Sequence, residues 1–118
     1  MSGVPEIIKE GYSKIRLKTT DEMVTDDLGL IHGGFIFSLA DYAAMLAVNH
    51  PNVVLSKANV KFIKPTVFGD ELIAEGKIIN HEGKRYFVRI SIVNKNVKVF
   101  EGDFECYVPE NHVLEDKK

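Results

Sequence analysis

One segment of the chain constrains its fold more than any other, the stretch from Gly34 to Asn49. It is rich in Ala and Leu and contains neither proline nor an internal glycine, which favours an α-helix. Apolar residues occur almost all the way round that helix, and a helix of this kind is buried on most of its sides. The run His50-Pro51-Asn52 then stops it. Its polar side chains form a single narrow stripe at helical spacing, made of Ser38, Asp41 and Tyr42.

The hydrophobic pattern changes to period two after Pro51 and keeps that period almost to the end of the chain. Apolar and polar residues alternate in four runs that are separated by turn residues. Consecutive strands joined by short turns form an antiparallel sheet. The predicted strands are Val54 to Phe62, Glu71 to Ile79, Arg85 to Val93 and Val97 to Val108.

The residues before the helix give weaker signals. Tyr12 to Leu17 alternates and predicts a short strand, whereas Pro5 to Glu10 is compatible with a helical turn. Thr19 to Ile31 is rich in Thr and Asp, which indicates a loop. The expected fold class is therefore α+β, with one long central helix wrapped by a curved antiparallel sheet of about five to six strands. One sheet around one helix gives a thin core, so we expect a further partner surface.

The composition places the chain among globular folds. It has 118 residues, of which 45% are hydrophobic and 27% charged, and this suits one domain over residues 1–118 with a polar tail at 109–118. That apolar content excludes intrinsic disorder. The net charge of -2 gives no electrostatic footprint for a nucleic-acid partner.

Cysteine use and hydropathy indicate a cytoplasmic protein without a membrane partner. Cys106 is the only cysteine, which excludes an internal disulfide and suits a reducing compartment. Met1 to Glu10 lacks the features of an export signal. The most apolar stretch, Phe35 to Val48, is too short to span a bilayer and carries Asp41 in its middle.

Two glycines, Gly33 and Gly34, stand where the loop becomes the helix. The free N–H groups of a helix start point outward at the positive end of the helix dipole, which suits an anion or a carbonyl oxygen about to become one. The alternative is that the two glycines only form a tight turn. The local pattern by itself leaves both interpretations open.

Asp41 is the second unusual feature, because Asp is a poor residue for the interior of an otherwise apolar helix. Such a carboxylate is solvated, paired or functional. It either faces water or caps a backbone group, or it takes part in chemistry. Gly33 and Asp41 are eight residues apart, which is about 12 Å along a helix. If both act on one substrate, they come from two chains around a two-fold axis, with two identical sites per dimer.

These residues carry a resemblance to a known family. His32-Gly33-Gly34, followed by Leu39-Ala40-Asp41, resembles the signature of hotdog-fold acyl-CoA thioesterases of the PaaI-like (phenylacetate-degradation) group. The later runs Phe62-Ile63-Lys64-Pro65 and Gly69-Asp70-Glu71-Leu72 resemble the second landmark of that group. The resemblance covers Leu28 to Gly76 at the level of motifs, and the order of the strands extends it to the rest of the chain.

The resemblance implies a hotdog fold, dimers that pair into tetramers, and hydrolysis of an acyl-CoA or aryl-CoA thioester to free acid and CoA. By position, the Gly33 backbone N–H matches the group that polarises the thioester carbonyl. Asp41 of the facing subunit matches the carboxylate that attacks or activates water, and His32 matches a residue that orients the thioester. These roles agree with the general needs of hydrolysis, namely preorganised donors and a base or nucleophile.

Further residues are expected to bind substrate. Many relatives carry Asn six residues before the motif histidine; here Asp26 takes that place, and a second carboxylate would raise a pKa there. Ser56 and Asn59 belong either to the site or only to their strand, and Lys64 and Arg85 either meet CoA phosphates or are ordinary surface cations. The full expected set is Gly34, Asp26, Ser56, Asn59, Tyr42, Lys64 and Arg85.

We expect no metal and no cofactor other than the coenzyme A of the substrate, because the histidines lack ligand spacing. A non-catalytic acyl-CoA binding or regulatory module on the same fold is the first alternative, motivated by Asp26 and the short N-terminus. A hydratase on this fold is disfavoured, since the hydratase pattern places Asp before His and here His32 precedes Asp41. Fold alone does not decide between these functions.

Overall fold

The computed structural model describes residues 4–20, 23–24 and 29–109. Within them, no helix has the length and apolarity needed to cross a membrane. The helix begins at Gly33 and ends before Asn49, a C-cap residue in the left-handed region with φ 51°. The elements are β1 (Val4–Lys9), β2 (Tyr12–Lys18), α1 (Gly33–Val48), β3 (Val54–Phe62), β4 (Glu71–Glu82), β5 (Arg85–Asn94) and β6 (Val97–Tyr107).

The six strands form one sheet in the order β1-β2-β4-β5-β6-β3, and every neighbouring pair is antiparallel. The helix packs against one face of this curved sheet, mainly on β2, β4 and β5. This confirms the α+β class and is the hotdog arrangement that the resemblance implies. The alternation predicted for the last strand is also confirmed, because Phe100, Phe104 and Cys106 of β6 are buried while Glu101 and Asp103 are exposed.

The helical turn predicted for Pro5 to Glu10 is wrong, because Pro5 to Lys9 belong to β1 and Glu10 lies in the turn after it. Five residues of β1 pair with β2, across a bulge between Pro5 and Ile7. The whole strand is exposed, so its apolar residues carry no clear period, and pairing with β2 rather than local preference decides its conformation. Asp26 and the tail beyond residue 109, for which substrate binding and a polar end are expected, lie outside the described residues.

Small residues bring the helix close to the sheet. The helix buries Ala40, Ala43, Ala44 and Ala47, which have little side chain to separate the two layers. A Cβ atom on Gly76 of β4 would lie only 2.8 Å from the Ala43 carbonyl oxygen, closer than real Cβ contacts allow. The absence of a side chain there therefore fixes the height of α1 above the sheet.

β3 is one open edge of the sheet, and β1 is the other. β3 pairs with β6 on one side, and no described strand lies on its other side. A bulge between Leu55 and Lys57 shifts the register, so that Leu55, and not Val54 or Ser56, lies opposite the buried Cys106. The alternation predicted from Val54 is therefore wrong at its start. An unpaired edge of nine residues is a template for another strand.

Candidate active site

His32 forms the N-cap of α1. Its backbone is extended, with φ -62° and ψ 130°, and its ring nitrogen Nδ1 accepts a 2.9 Å hydrogen bond from the Gly34 N–H. Its carbonyl oxygen accepts a 3.0 Å bond from the Phe35 N–H. Two of the N–H groups that a helix start leaves free are thus satisfied by one residue.

The two glycines of the motif differ in what the fold requires. A Cβ atom on Gly34 would lie 3.0 Å from Nδ1 of His32, so a side chain at this position would crowd the ring that forms the cap. A Cβ atom on Gly33 would meet only the Phe62 ring, at an ordinary contact distance of 3.6 Å. Nothing in the described chain therefore requires Gly33 to lack a side chain.

The Gly33 N–H is the open donor of this helix start. It donates no hydrogen bond to another described residue. It points outward at the positive end of the helix dipole, where a developing negative charge on oxygen is stabilised. Of the two glycines, Gly33 is thus the one that can polarise a carbonyl.

Gly33 lies in an apolar groove of about 170 Å³. Phe62, at the end of β3, forms one wall and remains 53% exposed, and Lys64 brings a positive charge to the same groove. The other lining residues are Leu30, Ile31, Ile36, Ile63, Pro65, Thr66 and Val99. The groove offers an apolar surface, a backbone donor and a cation side by side.

Asp41 lies two helical turns after Gly33, above the inner face of β6. One turn before it, the Phe37 ring stacks on Phe104 with centroids 5.6 Å apart, and Cys106 follows Phe104 on the same face. The Asp41 carboxylate is half-buried, and its Oδ1 atom has no hydrogen-bond partner among the described residues. Burial raises the pKa of Asp41 above 3.8 and makes it a stronger base than an ordinary Asp.

Burial, and next the charge of Asp41, raise the pKa of the Cys106 thiol to about 12. The charge of Asp41 thus acts on a thiol on the inner face of β6. Tyr42, the next helix residue, is partly buried and packs against the core. The Asp41 carboxylate therefore lies over apolar side chains, and the thiol on which its charge acts is neutral.

Ser56 and Arg85 share a second groove, on Glu105. The Ser56 hydroxyl donates to the Glu105 carbonyl oxygen at 2.9 Å, and Arg85 Nη1 lies 3.9 Å from the Glu105 carboxylate. Asn59 lies opposite the exposed Asp103, so it faces away from the helix that carries Asp41. Gly33 lines a different groove from the one that Ser56 and Arg85 share.

The start of α1 lies at the end of β3, and the middle of α1 lies closer to the start of β3. Gly33 contacts Phe62 at one end of β3, whereas Asp41 lies near Cys106, which pairs with Leu55 at the other end. Along the axis of α1, Gly33 and Asp41 are about 12 Å apart. One chain therefore does not bring the Gly33 donor and the Asp41 carboxylate to one reacting atom.

Sequence reasoning missed two features of the site. The sequence did not predict that His32 caps the helix, because Ser, Thr, Asp and Asn are the usual N-cap residues. The role of Phe62 as a groove wall was signalled only by a large aromatic residue at the end of an edge strand. Among the described residues, no group of three His, Cys, Asp or Glu side chains is arranged to hold a metal ion.

Comparison with known proteins decides the family. The sequence profile of the thioesterase superfamily matches residues 28–101, a stretch that contains His32, Gly33 and Asp41. The chain belongs to the thioesterase superfamily. The match confirms the resemblance that the motifs carry.

Curated relatives of this thioesterase-superfamily chain bear different names. It is 54% identical over 104 residues to a protein of Aquifex aeolicus named methylthioribose-1-phosphate isomerase, and the match covers 88% of this chain and 23% of that protein. It is 30% identical over 112 residues to the transcription factor FapR of Caldanaerobacter subterraneus, covering 95% of this chain and 55% of that protein. The chain thus spans about a quarter of the first relative (23%) and about half of the second (55%).

Solved structures share the fold of this chain. An uncharacterized protein from Pyrococcus horikoshii is 55% identical with a TM-score of 0.93, covering 95% of this chain and 86% of that one. The E. coli PaaI protein from the phenylacetic acid degradation operon is 26% identical with a TM-score of 0.81, covering 88% and 81%. A Streptococcus mutans protein bound to acetyl CoA has a TM-score of 0.86 and covers 95% and 92%, and at 19% identity it shows the fold alone.

Proposed function

We propose that the chain hydrolyses an acyl- or aryl-CoA thioester to the free acid and CoA. Membership of the thioesterase superfamily supports the reaction class. The observation that carries the proposal is the half-buried Asp41 carboxylate, whose Oδ1 atom has no partner among the described residues. An unpaired, partly desolvated carboxylate costs stability, so its presence calls for a chemical use.

In this proposal the Gly33 N–H donates to the thioester carbonyl oxygen, and Asp41 takes a proton from water as the water attacks the carbonyl carbon. The C–S bond then breaks, and the proton that Asp41 holds goes to the leaving thiolate. The raised pKa of Asp41 suits a general base, because it increases the affinity of the carboxylate for the proton.

The donor and the base come from two copies of the chain. If two β3 strands pair antiparallel about a two-fold axis near their middle, the Phe62 end of one copy meets the Leu55 end of the other. Gly33 of one copy then approaches Asp41 of the other, and the dimer has two identical sites. Lys64 of one copy and Arg85 of the other come to the same end, where they meet CoA phosphates. Assembly of two dimers into a tetramer stays a prediction.

The first experiment measures thiol release from a panel of aryl- and alkyl-CoA thioesters by the wild type and by Asp41→Asn. We expect turnover of at least one thioester by the wild type and its loss in the variant, with CoA binding retained in both. Wild-type turnover by the variant contradicts the role of Asp41. Binding without turnover by the wild type contradicts the hydrolase.

Binding without turnover by the wild type favours a non-catalytic acyl-CoA binding module. Its support is the 30% identity to a transcription factor over 95% of this chain. The two functions differ in one measurement, because a binding module retains its ligand unchanged after prolonged incubation. Mass spectrometry of the recovered ligand therefore separates them.

A further inference from the structure

The Gly69-Asp70 pair of the second sequence landmark ends a tight turn that begins at Val67. The Asp70 N–H donates to the Val67 carbonyl oxygen at 3.1 Å, and Gly69, the third residue of the turn, has φ 97°, which favours glycine. The Asp70 side chain closes the turn a second time, because its Oδ2 atom accepts the Val67 N–H at 2.9 Å. Backbone and side chain of Asp70 thus both hold Val67.

Thr19, the residue after β2, fixes the Val67–Asp70 turn to the sheet. Its side chain is buried, at 2% exposure. The Thr19 hydroxyl accepts the Gly69 N–H at 2.9 Å and donates to the Asp70 carbonyl oxygen at 2.9 Å. The Thr19 N–H donates to the same carbonyl oxygen at 3.0 Å. The turn therefore has a fixed position relative to the end of β2.

The turn in its place holds the segment that leads into α1. Val67 pairs with Leu30 in an antiparallel bridge. Two hydrogen bonds of 2.8 Å and 2.7 Å flank this bridge, from the Phe68 N–H to the Gly29 carbonyl oxygen and from the Ile31 N–H to the Thr66 carbonyl oxygen. Only two residues separate Leu30 from Gly33. Such a short connection passes a displacement of the turn on to the helix start.

The other side of this segment has its own support. The His32 N–H donates to the Met23 carbonyl oxygen at 2.9 Å, and Ile31 forms a bridge with Val24. The segment before Gly33 is therefore held between two neighbours. Loss of the hydrogen bonds on the Val67 side leaves it held by one of them.

We infer that Asp70 and Thr19 are positioning residues for the Gly33 N–H donor. The inference deepens the proposed function and rests on it. Neither residue lines the groove that contains Gly33, so both act through the bridge between Val67 and Leu30. A donor that stabilises a developing oxyanion has to be held to within about 0.5 Å. A displaced Gly33 N–H therefore lowers kcat more than it changes KM.

Two pairs of variants test the inference in the full chain. Asp70→Ala removes the acceptor of the Val67 N–H, whereas Asp70→Asn keeps a side-chain oxygen there. Thr19→Val removes the buried hydroxyl at nearly constant shape, whereas Thr19→Ser keeps it. The control is Glu71→Ala, which loses the same charge at the next position, where the side chain is exposed and pairs with Arg16.

The rates are measured well below the melting temperature of every variant, so that loss of stability does not enter them. We expect kcat to fall about tenfold or more in Asp70→Ala and in Thr19→Val, with KM within about threefold of the wild type. We expect Asp70→Asn, Thr19→Ser and Glu71→Ala to keep a kcat near that of the wild type. Wild-type kcat in both Asp70→Ala and Thr19→Val overturns the inference. A raised KM with unchanged kcat also overturns it, because the turn then shapes the groove and does not place the donor.

Hydrogen exchange of single amides tests the same connection without any substrate. We expect the Ile31 N–H to exchange at least about tenfold faster in Asp70→Ala than in the wild type. The Asn49 N–H, which donates to the Met45 carbonyl oxygen at 2.8 Å, is an internal reference at the other end of α1 and should exchange as before. Equal acceleration at both amides indicates general destabilisation and overturns the inference.

The amide resonance of Gly33 reports directly on the donor. We expect it to shift in Asp70→Ala and Thr19→Val and to stay in place in Glu71→Ala. Unchanged Ile31 exchange together with an unshifted Gly33 resonance overturns the inference, whatever the rates are. A wild type that hydrolyses no thioester contradicts the proposed function, and the two amide measurements then still decide whether Asp70 and Thr19 position the helix start.

Discussion

The Ser13 hydroxyl of β2 donates a buried 2.7 Å hydrogen bond to the backbone carbonyl oxygen of Ala43 in α1. Gly76, which pairs with Ser13 in the neighbouring strand, leaves room for the same carbonyl oxygen. Ala43 lies two residues after Asp41 on the helix. This contact between sheet and helix therefore also determines where the carboxylate stands above β6.

We expect Gly76→Ala to lower the free energy of unfolding by about 1–3 kcal/mol, because its Cβ would force the helix away from the sheet. Chemical denaturation measures this change. Lys77→Ala is the matched control, since Lys77 is the next residue of β4 and is exposed. Equal stability of the two variants contradicts the close contact between Gly76 and Ala43.

The pH profile follows from the raised pKa of Asp41. The carboxylate must be ionised to accept a proton, so kcat/KM falls as the pH drops through the pKa of Asp41 in the folded state. Since burial raises that pKa, we expect this fall at a higher pH than the ordinary value of 3.8 implies. Rates measured across the acid range test it, and a profile that stays flat down to the ordinary value contradicts it.

The stability of the fold depends on pH in the opposite direction to kcat/KM. The folded state holds the Asp41 proton more tightly than the unfolded chain, so the group contributes stability below the unfolded pKa and loses it as the pH rises through the folded pKa. At neutral pH the ionised carboxylate therefore destabilises the fold. We expect Asp41→Asn to melt at the same or a higher temperature than the wild type at neutral pH. A clear loss of thermal stability means instead that the carboxylate is paired in solution.

Gly33→Pro is expected to remove one hydrogen-bond donor and little else. Gly33 is the first residue of α1, where proline is well tolerated, and His32 already has the extended conformation that a following proline requires. We expect kcat to fall about 100-fold or more while the circular dichroism spectrum is retained. Gly33→Ala, which keeps the N–H, is the control for the added bulk. Equal rates for the two variants contradict the role of the N–H.

Mixing two inactive variants tests whether the sites are shared between copies. Asp41→Asn and Gly33→Pro each disable both sites of their own homodimer. If every site takes Asp41 from one copy and Gly33 from the other, a mixed dimer has one intact site. Random reassociation at equal concentrations should then restore about a quarter of the wild-type activity. A mixture that stays inactive, although mixed dimers are detected by mass, places both residues in one chain.

The sequence predicts the helix and the last four strands because their patterns are strong. The apolar run of α1 and the period-two runs after Pro51 agree with the pairing that the fold imposes. Pro5 to Glu10 lacks such a pattern, and only its pairing with β2 makes it a strand. The bulge at Ser56 likewise depends on register with β6, which alternation alone does not reveal.

The candidate site also has features that the sequence predicts and features that it does not. Gly33 and Asp41 stand out in the sequence because each is unusual for its place in a helix. The difference between Gly33 and Gly34 does not, because it depends on where the His32 ring and the Phe62 ring lie in three dimensions. Asn59 is a further example, since its position opposite Asp103 follows from strand register and not from residue type.

Cys106 has a practical consequence for enzymology on this chain. It is the only cysteine, it is fully buried, and its thiol pKa is raised to about 12, so almost none of it is present as the reactive thiolate near neutral pH. A colour reagent that counts released CoA will therefore register no background from folded protein. We expect one equivalent of thiol per chain to appear only when the protein unfolds. A blank without substrate therefore measures the rate of unfolding under the conditions of the assay.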